Sequence, residues 1–228
     1  HTAYRRQRQM CIRDRLMKVM ILGAAGQIGQ MVTQQLLAQT DDQLVLYGHN
    51  VSQRLTAFDS IRVTFVDGDF LEFDKVQTAL NGVDAVYLSF VAGPDIIAGL
   101  IKVLDATGVK RLIVASIPDL YQEVSGPFQQ WYRERTGIVW QSDRKQAADL
   151  IEASDLDYVL LRITWLYNQT GNTAVAVTKK GEPFTSAQVT RQAVAQFVVN
   201  LLAGKGDYHR ESLGLGEPQT EFSKPSFY

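Results

Sequence analysis

Three glycines recur at three-residue intervals in the run Gly23-Ala24-Ala25-Gly26-Gln27-Ile28-Gly29, between the apolar pentad Lys18 to Leu22 and a segment of helical period. Glycine at 23 and 26 permits a tight turn and lets backbone N–H groups approach a phosphate oxygen, and the helix that follows adds the positive end of its dipole. Gly29 lets that helix lie close to the strand before it. The chemistry such a loop performs is to hold a pyrophosphate, and its place between a first strand and a first helix makes a short motif informative. Gly23, Ala25, Gly26, Gln27, Ile28 and Gly29 are therefore the expected contacts of a dinucleotide.

A second set of residues bears on which dinucleotide. Recognition of an adenosine ribose 2′-hydroxyl calls for an acid about 20 residues beyond the glycines. The chain there reads Tyr47-Gly48-His49-Asn50-Val51-Ser52-Gln53-Arg54 and holds no acid. Asn50, Ser52 and Arg54 instead offer donors to a 2′-phosphate, which predicts NADP(H) in preference to NAD(H), with His49 beside them as a pH-dependent contributor.

Other chemistries are disfavoured. The one cysteine, Cys11, has no partner within the chain for a disulfide, and His1, His49 and His209 lack metal-ligand spacing, so no metal site is expected. A formal charge of −1 lacks the basic excess that nucleic acid requires. No apolar run reaches the ~18 residues that cross a bilayer. The expected ligand partner is a small-molecule substrate, in a cytoplasmic protein without nucleic-acid or membrane partners; homodimerisation is left open. Residues 1–16 carry five arginines and no periodicity and read as a disordered leader. The stretch Arg8 to Arg15 resembles translated sequencing-adapter read-through, with Met17 as the natural start. Residues 17–228 are then one domain, in which 163–228 form a small C-terminal cap.

The elements that must position these residues alternate strand-length apolar runs with helical segments, the pattern of βαβ units. Strands are expected at Lys18 to Leu22, Leu44 to Tyr47, Arg62 to Val66, Ala85 to Ser89, Arg111 to Ala115 and Tyr158 to Arg162, six in all. Helices are expected from Gly26 to Ala38, around Ile97, Leu100, Ile101 and Leu104 with Gly108 as the stop, over Ser142 to Ala153, and from Thr190 with Val194, Phe197, Val198, Leu201 and Leu202 facing the core. Asp119 to Gln141 shows no clear period and follows the fifth strand, where open α/β sheets place ligands; it reads as a lid. Ala174 to Thr178 is strand-like. The fold class is α/β, a Rossmann-type doubly wound parallel sheet with a small C-terminal cap.

The GxxGxxG spacing, with Val19-Met20-Ile21-Leu22-Gly23, Asp67-Gly68-Asp69-Phe70, Val86-Tyr87-Leu88-Ser89, Val109-Lys110-Arg111-Leu112-Ile113 and the block from Ala147 to Tyr158, resembles the short-chain dehydrogenase/reductase superfamily, in particular its atypical NmrA-like branch. The resemblance covers nearly all of Lys18 to Tyr228. It implies that Asp69 and Phe70 contact the adenine, that Ser89 and Phe90 line the ribose side, and that Ile163 to Leu166 border the nicotinamide. It sets His49 where relatives commonly carry an arginine. It also implies a catalytic serine after the fifth strand, matched by Ser116, and a Tyr-x-x-x-Lys pair. Lys145 matches the lysine, but Gln141 stands in the tyrosine's place and cannot protonate a reduced carbonyl. Tyr121, Trp131 and Tyr132 could supply a phenol or an aromatic wall. Ser116, Lys145 and Tyr121 are thus the candidate catalytic residues, with Ser116 and Lys145 also holding the nicotinamide ribose.

The leading expectation is an NADPH-dependent reductase of a small planar acceptor of flavin or quinone type. The alternative is a non-catalytic NAD(P) sensor of NmrA type. A sugar-nucleotide epimerase or dehydratase fits least, because the tyrosine is missing and the cap is short.

Overall fold

The computed structural model describes residues 16–228; apart from Leu16, the leader expected over 1–16 lies outside the described residues. Five strands of strongly apolar sequence, β1 (Lys18–Leu22), β2 (Gln43–Gly48), β4 (Ala85–Leu88), β5 (Arg111–Ser116) and β6 (Asp157–Ile163), are buried over most of their length, and β3 (Val63–Asp67) lies outside β2. All six pair in parallel, as continuous Val/Ile/Leu runs covered on both faces require. The sheet runs β3-β2-β1-β4-β5-β6 and continues through β10 (Glu211–Gly216), parallel to β6, to β8 (Ala176–Lys179), antiparallel to β10. Eight strands stand where six were expected. A separate two-stranded sheet pairs β7 (Trp165–Tyr167) with β9 (Gln188–Thr190).

Helix α1 (Gln27–Gln39) places Ile28, Val32 and Leu36 on one face of the sheet, joined by α7 (Arg191–Leu202), whose Val194, Val198, Leu201 and Leu202 are buried there with half-buried Phe197 against them. Thr190 caps α7 by accepting the Ala193 N–H at 2.9 Å. The opposite face is covered by α3 (Phe73–Ala79), α4 (Pro94–Thr107) and α6 (Asp143–Ala153), with Ile97, Leu100 and Leu104 of α4 in that core. Gly108 ends α4 in the left-handed region at φ 75, as its position past the last turn predicts.

The lid segment differs from its reading as aperiodic: α5 (Phe128–Thr136) forms within it, with Phe128 and Tyr132 buried at i and i+4. With Val124, Val139, Phe184 and Ala187 they build a third small core, and Trp131, Trp140 and Trp165 pack against it. The C-terminal region does more than cap the molecule, since it also supplies β10 and β8 to the main sheet and α7 to one of its faces. Because β2 and β4 flank β1 on opposite sides, the winding direction reverses at the carboxyl ends of β1 and β4, the crevice where such sheets bind ligands.

Candidate functional site

That crevice is where the glycine loop lies. Gly23 follows β1 at φ 79, and its N–H and that of Ala24 donate to the Tyr47 carbonyl at 2.9 and 3.3 Å, which ties the loop to the end of β2. A Cβ on Gly23 would sit 2.8 Å from both the Ser89 hydroxyl oxygen and the Phe90 ring, so β4's end closes on the loop. The Ser89 hydroxyl lies 2.7 Å from the Gly23 carbonyl and 3.0 Å from that of Leu22. A Cβ on Gly29 would lie 2.8 Å from the Gly23 carbonyl and 2.9 Å from that of Ala24. Ala25, Ile28 and Gly29 are buried, whereas Gly26 and Gln27 are exposed and no side chain caps α1. The open N–H groups at that end can donate to a pyrophosphate, so the cradle fits a dinucleotide.

Beyond the loop, Phe70 and Phe90 meet with centroids 4.4 Å apart, and the His49 ring lies 5.4 Å from Phe70. Leu22, Phe70, Phe73, Val76, Leu88, Ile96 and Leu100 line a small apolar cavity beside them. Asp69 accepts from the Leu71 N–H at 2.9 Å and pairs with the His49 ring at 2.9 Å. These two contacts, the N–H first, hold its carboxyl below the usual range. Tyr47, its hydroxyl donating to the Asp69 carbonyl at 2.8 Å, is pushed up to about 12, first by burial and then by the Glu72 and Asp69 carboxylates. The Phe70 and Phe90 rings beside an anionic carboxylate offer an adenine an apolar surface and an acceptor for its exocyclic amine.

At the 2′ side, Asn50 adopts the left-handed region at φ 52 and opens the short helix α2 (Val51–Arg54). Arg54 reaches the carbonyls of Ala25 and His49 at 3.3 and 3.4 Å, which brings its guanidinium to the glycine loop. Ser52, expected as a third donor, is engaged elsewhere: its N–H donates to Asp67 at 3.0 Å and its hydroxyl to the other oxygen of that carboxylate. The segment 47–54 holds no acid, yet the fold brings Asp67 to it from the end of β3, opposite Gly48.

The expected catalytic group is only partly assembled. Ser116 is buried at the end of β5, opposite Arg162 of β6. Lys145, in the first turn of α6, bonds Asp149 at 2.5 Å and faces the Tyr121 ring at 5.6 Å. Tyr121 turns away from the strand ends. Its hydroxyl lies 2.6 Å from Glu152 and 3.3 Å from Ser212. Ser212 pairs with Leu160, two residues before the partner of Ser116 and one strand further out. Strand geometry therefore separates the Cα atoms of Ser116 and Ser212 by about 12 Å. Burial, then the Glu152 carboxylate, pushes the phenol above its ordinary value, so it keeps its proton. Gln141 is exposed just before α6.

Several residues around the site gave little signal in sequence. Arg162, fully buried, pairs with Glu123 of the lid and donates to Ser212 at 3.1 Å; a lone arginine in a Val-Leu-Leu-Arg-Ile strand was its sole sign. Asp119, also fully buried, accepts from Arg133 of α5 at 2.8 and 3.1 Å and from the Val124 N–H at 2.9 Å. Trp165 opens β7 two residues beyond the end of β6, 4.8 Å from Trp131.

Residues 23–205 match a family model described as NAD(P)H-binding. A short-chain dehydrogenase/reductase from Veillonella parvula solved in complex with NADP superposes with a TM-score of 0.88 at 33% identity, over 93% of this chain and 100% of that one. A Rossmann-fold NAD(P)-binding family protein from Shigella flexneri gives 0.76 at 26% identity, over 94% and 100%. Among curated proteins, UPF0659 protein YMR090W of Saccharomyces cerevisiae is 24% identical over 90% of this chain and 97% of its own length.

Proposed function

We propose, from the premise that the chain belongs to the NAD(P)H-binding family, that it is an NADPH-dependent reductase of a small planar acceptor, flavin or quinone in type. One observation carries the choice of acceptor: among the described residues the tyrosine of the Tyr-x-x-x-Lys pattern is not in place beside Lys145. Gln141 takes the position four residues before Lys145, and the Tyr121 hydroxyl is committed to Glu152. Hydride delivery to a ketone creates a strongly basic alkoxide that needs an acid beside it, whereas a conjugated ring spreads the charge and can take its proton later from solvent. The protein's part is then positioning.

In this reading Gly23, Ala25, Gly26, Gln27, Ile28 and Gly29 hold the pyrophosphate, Asp69, Phe70 and Phe90 hold the adenine, and Ser89 fixes the loop. Asn50, Arg54 and His49 face the 2′-phosphate. The Arg54 guanidinium is held by two neutral carbonyls, so its charge stays available, while Asp67 and Asp69 reduce the preference. Ser116 and Lys145 orient the nicotinamide ribose, Lys145 by leaving Asp149. The Lys145–Asp149 pair also favours a second reading, a non-catalytic NAD(P) sensor of NmrA type, in which that lysine never contacts the cofactor.

The test is NADPH oxidation against a quinone, a flavin and a small ketone, in the parent and in Tyr121→Phe and Tyr132→Phe. Turnover of the quinone or flavin, retained in both variants, is expected. Ketone turnover lost by roughly 100-fold or more in either variant would contradict the account, because a general acid contributes that much. Stoichiometric cofactor binding without turnover of any acceptor would select the sensor.

A further inference from the structure

We propose that the acceptor carries an anionic group, its ring lying against Trp131, Trp165 and Tyr228 and its anion meeting the Arg135 guanidinium; this rests on the reductase reading and specifies the acceptor of that site. Three segments far apart in sequence converge here. Trp165 opens β7 two residues past β6, the strand next to that of Ser116, Trp131 comes from α5, and Tyr228 comes from the C-terminal segment. Their rings meet edge to face: Trp131 and Trp165 at 4.8 Å and 75°, Trp131 and Tyr228 at 5.1 Å and 69°, Trp165 and Tyr228 at 6.0 Å and 78°.

Rings so nearly perpendicular form a corner rather than a stack; Phe128 stacks on Trp131 at 5.7 Å and 27°, so a flat molecule would lie against the faces that remain. Beneath them Phe128 and Tyr132 are fully buried and close the floor, whereas Trp131 and Trp165 are partly open and Tyr228 is 50% exposed. The corner begins at Trp165, two residues beyond β6, so an acceptor lying in it can reach a nicotinamide bordered by Ile163 to Leu166.

Charge decides the class of molecule. The Arg135 guanidinium sits 5.3 Å over both the Trp131 and the Tyr228 rings. Among the described residues no carboxylate lies within ion-pair distance of it, while Arg133, on the same helix, is taken by Asp119. A guanidinium already placed over ring faces and lacking an anion is suited to bind a carboxylate, phosphate or sulfonate with two parallel hydrogen bonds. Reduction there would move a hydride from the reduced nicotinamide to the ring, leaving the nicotinamide oxidised, and one proton from water would complete the reduced acceptor.

Matched acceptors separate the effect of charge from that of the ring: FMN against riboflavin, and 1,2-naphthoquinone-4-sulfonate against 1,2-naphthoquinone, each at saturating NADPH. The parent is expected to show a KM about tenfold lower for the anionic member of whichever pair it turns over, Arg135→Gln to bring the two values together, and Arg135→Lys to restore part of the gap. Equal KM values in the parent, or a gap that survives in Arg135→Gln, would overturn the inference while leaving the reductase reading intact. Tryptophan quenching by FMN and riboflavin with the cofactor site saturated by NADP+ reads binding without turnover. Quenching that favours FMN and depends on Arg135, with no acceptor reduced, would uphold the corner and fail the reductase reading. Quenching by neither flavin, together with no Arg135-dependent KM gap in either pair, would overturn the corner.

Discussion

Gly29 has no room for a methyl group: its Cβ would press on two backbone carbonyls 2.8 and 2.9 Å away, neither of which can swing aside as a side chain can. Gly29→Ala should therefore cost about 1–3 kcal/mol in denaturant unfolding and weaken NADPH binding with it. Arg54→Ala should lower NADPH affinity about tenfold and leave NADH affinity nearly unchanged, since the lost pairing is with the 2′-phosphate alone; isothermal titration with both cofactors checks this. The His49 ring is one of the contacts that depress Asp69, so His49→Ala should let that carboxyl titrate at a higher pH, nearer its ordinary range, by carbon-13 NMR. The sign follows from what is removed: with less to stabilise the anion, the proton is held to a higher pH. The glycines were legible because a motif of fixed spacing carries its own geometry. The commitments of Tyr121 and Ser52 were not, because their partners Glu152 and Asp67 stand 31 and 15 residues away.

At the scale of elements, the lid hangs on Asp119. This carboxylate is fully buried, and Arg133, through which α5 reaches back to the segment after β5, is its one cationic partner among the described residues. Arg133→Met should leave a buried charge uncompensated and cost about 3 kcal/mol, seen as a lower midpoint in chemical denaturation and faster proteolysis within 119–141. Helix α5 was hard to read because Gln, Arg and Glu separate its few apolar residues, although Phe128, Trp131 and Tyr132 do fall at i, i+3 and i+4. Strand β10 was missed for a different reason. Glu-Ser-Leu-Gly-Leu-Gly holds two glycines, which weaken a strand reading, yet both are needed by close neighbours. A Cβ on Gly214 would lie 2.3 Å from the Thr178 hydroxyl, and one on Gly216 would lie 2.2 Å from Ser186. The β-strands of the first half carried no such conflict, and their apolar runs lie within a residue or so of the observed bounds.

Across the whole molecule, the alternation of strands and helices implied a parallel sheet with a crevice at its carboxyl edge, and the order β3-β2-β1-β4-β5-β6 puts that crevice at the glycine loop. A cofactor bound there as proposed would touch the ends of β1, β2 and β4 together and should stabilise the fold by mass action, about 2.7 kcal/mol at a hundred times its Kd, read as a rise in Tm. The loop from Gly23 to Gly29 is proposed to hold the cofactor, and Gly26→Trp tests this. Gly26 is exposed, with φ −70 and ψ 160 that any residue can adopt and a Cβ 3.3 Å from the Gly23 carbonyl that a shift of a few tenths of an ångström relieves, so the variant should fold while its indole covers the open end of α1. Isothermal titration with NADPH should give one site per chain in the parent and no measurable binding in a variant whose circular dichroism and melting match it. A folded Gly26→Trp that binds NADPH with the parent's affinity would contradict the account.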